Sequence, residues 1–414
     1  MTPGAPATRS PRADIAPPEP GLTFPDMLAR AEALRAALRE RQATCERLGR
    51  VPDETHRDFL GAGFYRALQP RRFGGYGFSA ADFVRLVIEI ARGCPDTGWV
   101  LSLLASAQVS FLTPFPEPTL RELYGAGGDC RVASVLKPGA SALPADGGYR
   151  VAGAWDCCSG CDVATHLMAT VVVRDAPAAP PKALGFALFD RDQFEIEDNW
   201  AVFGMRGTGS RRVVVKERVL PANRVVAMSM DLAPHDGDGA DITGAADADP
   251  TIGGFAAAAV AVGAARGALD LYEQVLRTKK YLAPPFPLRS EMPEVQQQFG
   301  DARALVDTAE ASLLWLTRES ADRVRRGREG GAAALSPADV RRFHRAAEQS
   351  IELSWQAVDR IFRTAGTSSA ADSSPLGRIF RSLAVMRTHI GLQPEHTSIN
   401  AARLHFGLPA LDPL

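Results

Sequence analysis

The sequence predicts an α+β protein, mainly α, in which a helical segment, a β-rich segment and a second helical segment follow one another. Three observations predict this order. From Phe24 to about Gly125, apolar residues recur at three- and four-residue steps, which is typical of amphipathic helices. Short β-branched and aromatic runs between Gly, Pro and Asp turns follow, to about Val226. Long amphipathic patterns return from Thr251 onward.

Composition excludes several classes of function. The 414 residues are enough for two or three packed units, and a net charge of −1 gives no basic field for nucleic acid. No apolar run approaches the roughly 18 residues of a membrane span, and the N-terminus lacks the apolar core of a signal peptide. Six cysteines without framework spacing favour a reducing compartment. We therefore expect a cytoplasmic protein that binds neither nucleic acid nor membrane.

The first helical segment follows a Pro- and Ala-rich stretch. Residues 1–22 predict a disordered tail, and residues 23–129 predict an N-terminal helical domain. Within that domain "TGWVLSLLASAQVSFL" is apolar on nearly all faces, so we expect a buried helix there.

The remaining elements complete the predicted order. Residues 130–230 predict a central β-domain, in which "ADGGYRVAG" is typical of a hairpin. Residues 231–250 are rich in Asp, Gly and Ala and predict a flexible loop. Residues 251–414 predict a C-terminal four-helix bundle, whose first helix, "IGGFAAAAVAVGAARGALDLYEQVLRTKK", carries small residues that permit close helix packing.

One short stretch, "WDCCSGCDVATH" at 155–166, supports two interpretations. Cys157, Cys158 and Cys161 suggest a metal or redox site, but they lack the second Cys/His pair that structural zinc sites show. We expect no metal and treat the cysteines as small apolar fillers. The Ser159-Gly160 pair is either a plain turn that closes a strand or a turn that presents a hydroxyl group to a ligand.

Four strings together resemble a known fold family. They are "RLGRVPDETHRDFLGAGFYRALQPRRFGGYG", "GAWDCCSG", "GMRGTGSRRVVVKERVLPANRVV" and "AGTSSAADSSPLGRIFRSL". In this order they resemble the acyl-CoA dehydrogenase superfold. Within it the sequence is most similar to the flavin-dependent monooxygenases that take reduced flavin from a separate reductase. The resemblance covers nearly all of the chain and implies an acyl-CoA dehydrogenase-like architecture.

The resemblance also implies residues that bind the flavin. A serine at the position of Ser159 lies beside the flavin N5 edge in the family, which implies a catalytic role. Gly160 would let the backbone approach the ring, and Cys157 replaces an aromatic residue that usually packs on it. The implied cofactor-binding set is Trp155, Ser159, Gly160, Arg277 for the phosphate, and Gly366, Thr367, Ser368 and Ser369 across a subunit boundary. That boundary implies a homotetramer.

A histidine in "RSLAVMRTHIGLQPE", His389, is the second implied catalytic residue. We place it on the last bundle helix, where it would deprotonate a substrate or protonate a departing peroxide oxygen. Glu395 would orient it or face solvent. The implied substrate pocket is formed by Trp99, Leu103, Ala107, Gln108 and Phe111. Ala107 stands where aromatic hydroxylases of the group often have another histidine, which weakens the expectation of a phenolic substrate.

The implied function is a monooxygenase that combines reduced FMN or FAD with O2. It would form a C4a-hydroperoxyflavin and oxygenate a small organic, biosynthetic substrate, with a flavin reductase as transient partner. One alternative is an N-oxygenase, a nitrososynthase acting on a nucleotide-linked amino sugar. Others are an acyl-CoA dehydrogenase with Glu395 as base, and a non-catalytic helical partner protein that binds no flavin.

Overall fold

The computed structural model describes residues 17–125, 127–227, 249–328, 335–409 and 411. The first segment forms five helices: α1 (Phe24–Leu48), α2 (Asp53–Ala62), α3 (Ala80–Gly93), α4 (Pro95–Ser110) and α5 (Glu117–Tyr124). Side chains that precede α1 and α3 explain where these helices begin, because Thr23 and Ser79 each form a capping box with an aspartate three residues later. The apolar helix α4 is almost entirely buried, as predicted.

A single seven-stranded sheet follows, within the described residues. Its strands are β1 (Val132–Ala145), β2 (Gly148–Cys158), β3 (His166–Val173), β4 (Ala183–Asp190), β5 (Glu195–Glu197), β6 (Arg211–Pro221) and β7 (Val225–Ala227). Their order across the sheet is β5-β6-β2-β1-β3-β4-β7. The predicted hairpin is confirmed, since β1 and β2 are antiparallel and Ala145 pairs with Gly148. β1 and β3 are parallel.

The third segment is helical again. It contains α6 (Ile252–Thr278), α7 (Pro293–Arg328), α8 (Pro337–Ala365), α9 (Pro375–Met386) and α10 (Pro394–His405). α6 packs against α7, α8 and α9, and on its other side against α3 and α4. The close approach to α3 depends on Gly263, where a Cβ would lie 2.3 Å from the carbonyl oxygen of Ile88. The expectation that small residues allow close packing of this helix is confirmed.

The composition of α6 corrects one expectation. Among the described residues, α6 is the one helix long and apolar enough to span a membrane by length and composition, with 27 residues. The expectation that no apolar run approaches that length is therefore wrong. Most of the helix is buried inside the protein, where it lies between the N-terminal helices and the C-terminal ones. A central core helix needs the same apolar composition as a membrane span.

The three segments share one hydrophobic core. A continuous cluster of buried side chains runs from α1 through α3, α4 and the sheet to α6, α7 and α8. The α+β class with a helical–sheet–helical order is thus confirmed, whereas the predicted domain boundaries stay predictions.

The predicted tail and loop need separate comment. Of the tail 1–22, residues 1–16 lie outside the described residues, but Glu19 is ordered. Its backbone N–H donates to the hydroxyl of Tyr76 at 3.1 Å, and its carboxylate pairs with Arg30. The tail prediction is therefore wrong at its C-terminal end. The predicted flexible loop 231–250 lies outside the described residues except for its last two positions, where Asp249 is buried.

Candidate active site

Ser159 follows the end of β2 directly and lies in a tight turn. The next residue, Gly160, has a φ of 70°, and its N–H donates to the carbonyl oxygen of Thr208 at 2.9 Å. A Cβ at this position would lie 2.9 Å from Cγ1 of Val100 on α4. Gly160 is thus required by left-handed backbone and by packing against α4. The predicted clearance for a flavin ring stays a prediction beside this reason.

Trp99 on α4 joins the two predicted catalytic residues. Its indole Nε1–H donates to Oγ of Ser159 at 3.2 Å. Its ring meets the imidazole of His389 edge to face, with centroids 5.6 Å apart and an interplanar angle of 67°. Ser159 and His389 lie 60 and 290 positions after Trp99 in the sequence, yet both contact it. The contacts lie where α4, the end of β2 and the α9–α10 connection come together.

His389 does not lie on a helix, which corrects the prediction. α9 ends at Met386, and His389 caps a short 3-10 turn, Ile390–Leu392, before Pro394 starts α10. Its Nδ1 accepts the N–H of Gly391 at 3.2 Å. Gly391 and Pro394 explain why the helix ends, because glycine and proline both disfavour continued helix.

The surroundings of His389 favour a neutral imidazole. The ring is accessible to solvent in the single chain, yet desolvation by its neighbours lowers its pKa below the ordinary value. Since Nδ1 accepts a backbone N–H, the proton of the neutral ring belongs on Nε2. His389 therefore presents an N–H donor. Glu395 lies in the first turn of α10 and is exposed, so of its two predicted roles the structure supports facing solvent.

The 204–210 loop, "GMRGTGS", completes the site and contains residues that sequence reasoning missed. Ser210 Oγ lies 2.7 Å from Ser159 Oγ and 2.6 Å from Oγ1 of Thr208. All three hydroxyl-bearing residues are buried, between 1% and 8% exposed. The signal lies in "GTGS", part of a string that carries the family resemblance, in which no role was predicted for the two hydroxyl groups.

A buried carboxylate on α4 holds this loop. Asp96 Oδ2 accepts the N–H of Gly207 at 2.8 Å, and Oδ1 accepts the hydroxyl of Ser382 on α9 at 2.7 Å. Ser382 in turn accepts the N–H of Met205 at 3.2 Å. Burial raises the pKa of Asp96, while these two donors oppose that rise. The arrangement fixes the loop to α4 and α9 at once.

Trp155 and the cysteines occupy structural positions. Trp155 is 2% exposed, its Nε1 donates to the carbonyl oxygen of Thr170 at 2.8 Å, and its ring packs near Phe189. In this position the side chain supports β2 from inside the core and offers almost no surface to a cofactor. Cys158 is buried, as expected for an apolar filler, whereas Cys157 is exposed with a φ of 63°. In the described part of the chain, no group of three His, Cys, Asp or Glu residues could hold a metal ion.

The predicted substrate-pocket residues are spread along α4. Leu103 is partly buried one turn after Trp99. Ala107 is fully buried in an apolar cluster with side chains of α5 and the sheet, and Phe111 meets the ring of Phe186 edge to face. Gln108 donates through Nε2 to the carbonyl oxygen of Tyr65 at 3.0 Å. Of these residues, Trp99 forms a hydrogen bond with Ser159 and a ring contact with His389.

A second group of predicted cofactor-binding residues lies near the C-terminal end of α6, and Arg277 among them was predicted to bind the phosphate. The side chain of Arg277 is 71% exposed and pairs with Glu273 on the same helix. Two residues later, Lys279 Nζ donates to Oγ of Ser368 at 2.7 Å. Gly366 has a φ of 98° and is followed by a 3-10 turn that includes Thr367 and Ser369. Lys279 was missed from sequence, although it follows Arg277 in a run of basic residues.

Comparison with known proteins identifies the family. Residues 255–394 match the family model described as acyl-CoA dehydrogenase, C-terminal domain. The chain is 30% identical over 393 residues to the flavin-dependent monooxygenase, oxygenase subunit HsaA, of Rhodococcus jostii (strain RHA1), covering 93% of this chain and 99% of that protein. The chain belongs to the acyl-CoA dehydrogenase-fold family of two-component flavin-dependent monooxygenases.

Further relatives agree. The FADH(2)-dependent resorcinol hydroxylase, oxygenase component, of Rhizobium sp. (strain MTP-10005) is 29% identical over 384 residues, covering 91% of this chain and 93% of that protein. The crystal structure of the HsaA monooxygenase from M. tuberculosis aligns with a TM-score of 0.83 and 26% identity, over 95% of this chain and all of that one. The chain is thus a flavin-dependent monooxygenase whose cofactor is reduced flavin, and the expected acyl-CoA dehydrogenase-like fold is confirmed.

The residues at both groups suit that cofactor. At the Ser159 group, a hydroxyl oxygen and an imidazole N–H stand beside an aromatic ring, which matches the polar edge of an isoalloxazine. At the second group, Lys279 and Arg277 supply cations for a phosphate. We use "the ring group" for Trp99, Ser159 and His389, and "the phosphate-binding group" for Arg277, Lys279 and the 366–369 segment.

Proposed function

We propose that this monooxygenase hydroxylates a small aromatic compound that carries a hydroxyl group, using reduced FMN or FAD from a separate reductase. The observation that carries the proposal is the contact of one indole, Trp99, with both Ser159 and His389. When bound, the reduced flavin supplies the electrons for activating O2. The protein's own residues then bind and orient the flavin and the substrate.

Ser159 is proposed to hold the polar edge of the flavin ring. Its hydroxyl group is buried and already anchored by Trp99 and Ser210, so it loses little conformational freedom when it binds. Trp99 and Ser159 are both buried in the single chain, at 4% and 8% exposed, so little water reaches that hydroxyl group.

His389 is proposed to donate a hydrogen bond from its Nε2–H to an oxygen of the substrate or to the oxygen that leaves. A lowered pKa keeps the ring neutral at pH 7, and Nδ1 already accepts from Gly391. Donation of a hydrogen bond through Nε2–H is therefore favoured over the alternative in which His389 removes a proton from the substrate.

The hydroxyl-bearing aromatic substrate is supported by the relatives and by the ring group. Resorcinol hydroxylase is one relative, and p-hydroxyphenylacetate 3-hydroxylase of Acinetobacter baumannii, 25% identical over 386 residues, is another. An aromatic substrate fits beside the face and edge of Trp99, and its hydroxyl group fits the N–H of His389. Ala107 in place of a second histidine leaves His389 to bind that hydroxyl group.

An isotope experiment tests the proposal. The protein is loaded with reduced flavin without oxygen and mixed with 18O2 and a series of simple phenols, and products are analysed by mass spectrometry. We expect one 18O atom in a ring hydroxyl group of the product, and loss of that product in Ser159→Ala. Failure to bind reduced flavin, or label only in water and peroxide with every phenol, would contradict the proposal. In a parallel reaction with a nucleotide-linked amino sugar in place of the phenols, label on its nitrogen would favour the N-oxygenase.

A further inference from the structure

We propose that a one-directional row of hydroxyl groups makes Ser159 a hydrogen-bond acceptor toward the flavin, so that the site favours reduced over oxidised flavin. The hydroxyl row consists of Ser159, Ser210 and Thr208 and ends at the carbonyl oxygen of Met205. This inference rests on the proposed function, in which Ser159 lies at the flavin edge.

The contacts of the row are short and buried. Ser159 Oγ and Ser210 Oγ are 2.7 Å apart, and Ser210 Oγ and Thr208 Oγ1 are 2.6 Å apart. Thr208 Oγ1 lies 2.8 Å from the carbonyl oxygen of Met205. Each of these oxygen pairs is within hydrogen-bonding distance, so each must share one proton.

The direction of the row is set at its Met205 end. A carbonyl oxygen only accepts, so the proton between Thr208 and Met205 must come from Thr208. A hydroxyl group has one proton to donate. Thr208 therefore accepts from Ser210, and Ser210, whose own proton is then used, accepts from Ser159.

The remaining capacity of Ser159 follows from this direction. Its proton goes to Ser210, and one of its two lone pairs accepts Nε1–H of Trp99 at 3.2 Å. One lone pair is left, and no proton. Toward any ligand at this position Ser159 can only accept.

The Met205 carbonyl is held in place, which keeps the direction fixed. The N–H of Met205 donates to Ser382, which is bound to Asp96, and the carbonyl oxygen of Met205 also accepts Nε1–H of Trp200 at 3.0 Å and the N–H of Thr208 at 3.2 Å. Met205 has a φ of 56°, an uncommon backbone conformation for a residue with a side chain. A rigid acceptor at this end prevents the row from reversing.

The two redox states of flavin differ at N5, the ring atom beside which Ser159 is proposed to lie. In reduced flavin, N5 carries a hydrogen and donates, whereas in oxidised flavin N5 has a lone pair and accepts. An acceptor-only Ser159 therefore forms a hydrogen bond with the reduced form and places two lone pairs against each other with the oxidised form. The site thereby selects the product of the reductase and weakens binding of the oxidised flavin left after turnover.

The test compares affinities and needs no turnover. Dissociation constants for oxidised and for reduced flavin are measured without oxygen in the wild type, Thr208→Val and Thr208→Ser. Valine removes the acceptor for the proton of Ser210, so that the row can reverse and Ser159 can donate. We expect the preference for reduced flavin to fall about tenfold in Thr208→Val and to be retained in Thr208→Ser.

A second variant guards against misfolding at Thr208. Ser210→Ala frees the proton of Ser159 directly and should lower the same preference. If Thr208→Val and Ser210→Ala both keep the wild-type ratio of affinities, the row does not set the polarity of Ser159 and the inference is overturned, while the proposed function stands. If the wild type binds neither form of flavin, the proposed function fails and the inference fails with it.

Discussion

Among single residues, Trp99 determines the geometry of the ring group, because its indole donates to Ser159 and its ring packs against His389. The two catalytic candidates are then differentiated by their own partners. Ser159 has its proton committed to Ser210, whereas the backbone N–H of Gly391 leaves the proton of His389 on Nε2. One group thus accepts and the other donates, which suits a site that binds a flavin edge on one side and a substrate oxygen on the other.

Replacing His389 should separate flavin binding from product formation. In His389→Ala we expect flavin binding to persist, because the hydroxyl group of Ser159 stays in place, and product formation to fall by about 10² as the hydrogen-bond donor is lost. Oxygen would still be consumed and would end as H2O2. The measurement is the ratio of product to oxygen consumed.

The matched control for that variant is His389→Gln, whose side-chain amide can still donate a hydrogen bond. It should recover part of the lost coupling, while a purely steric role for the imidazole would leave both variants alike. A wild-type ratio of product to oxygen in His389→Ala would show that His389 has no part in the chemistry.

The sequence could predict Ser159 and His389, but not their partners. Ser159 stands in a distinctive local string, and so does His389. The contacts that define their chemistry come from Ser210, 51 positions after Ser159, and from Trp99, 60 positions before it. Trp155 shows the opposite case: a tryptophan in the right string whose indole is satisfied inside the core. Local sequence carries no information about which face of a strand meets the site when the strand contains a bulge, as β2 does between Trp155 and Cys158.

At the scale of elements, the 204–210 loop connects parts of the fold that are distant in sequence. Its Gly207 is bound to Asp96 at the start of α4, and its Met205 to Ser382 on α9. Gly204 lies directly against α9, where a Cβ would come within 2.0 Å of the carbonyl oxygen of Arg381. The glycines of this loop are therefore needed for close packing between the sheet and the helices.

Substitution of Gly204 should destabilise the whole protein. The atom that a Cβ would meet is backbone, so no side-chain rotation can relieve the clash in Gly204→Ala. We expect a loss of about 1 to 3 kcal/mol in the free energy of unfolding, measured by chemical denaturation.

Gly300 on α7 offers the matched control. A Cβ there would meet nothing within 4 Å, and alanine is the better helix former, so Gly300→Ala should be neutral or raise the stability by about 0.5 to 1 kcal/mol. Equal losses in the two variants would mean that close packing at Gly204 is not what the loop requires.

Element boundaries were predictable where local signals decide them. The β1–β2 hairpin and the buried α4 follow from a glycine turn and from uniform apolar character. The end of α9 was missed because the apolar pattern of "RSLAVMRTHIGLQPE" continues past Met386, while the helix does not. α6 was misjudged because its alanines and glycines hide how apolar the helix is, and only its position between two layers of helices explains that composition.

At the scale of the whole molecule, stability should fall as the pH falls below about 6.5. Burial lowers the pKa of His56 to about 3 and that of His344 to about 4. Each histidine is then neutral in the folded protein but protonated in the unfolded one below about pH 6.5, so each adds roughly 1.4 kcal/mol of destabilisation per pH unit in that range. The raised pKa values of Asp96 and Glu348 act in the opposite direction.

A variant isolates the contribution of His56 from those carboxylates. His56→Gln can keep a hydrogen bond to the hydroxyl of Tyr65, which lies 3.0 Å from Nδ1 of His56, but cannot be protonated. Urea unfolding at several pH values between 7 and 5 should show a flatter loss of stability in the variant than in the wild type. Parallel curves would mean that His56 is not kept neutral by the fold.

The predicted homotetramer remains a prediction, and the two parts of the flavin site make it testable. The phosphate-binding group lies on the surface of the single chain, with Arg277 mostly exposed and Lys279 bound to Ser368. Apolar side chains near the C-terminus are also exposed, among them Phe406, at 74%, and Ile390, at 60%. If the tetramer forms as the resemblance implies, with the 366–369 segment across a subunit boundary, the phosphate-binding group of one subunit would lie beside the ring group of another and cover these surfaces.

Mixing two inactive variants distinguishes shared sites from sites within one chain. His389→Ala impairs the ring group, and Lys279→Glu impairs the phosphate-binding group because it reverses the charge of that side chain. If each site combines the ring group of one subunit with the phosphate-binding group of another, refolded mixtures contain some sites in which both groups are intact, up to about a quarter of all sites. Product formation in the mixture should then rise well above that of either variant alone. If each site lies within one chain, every site in the mixture carries one defect, and the mixture should stay as inactive as its components.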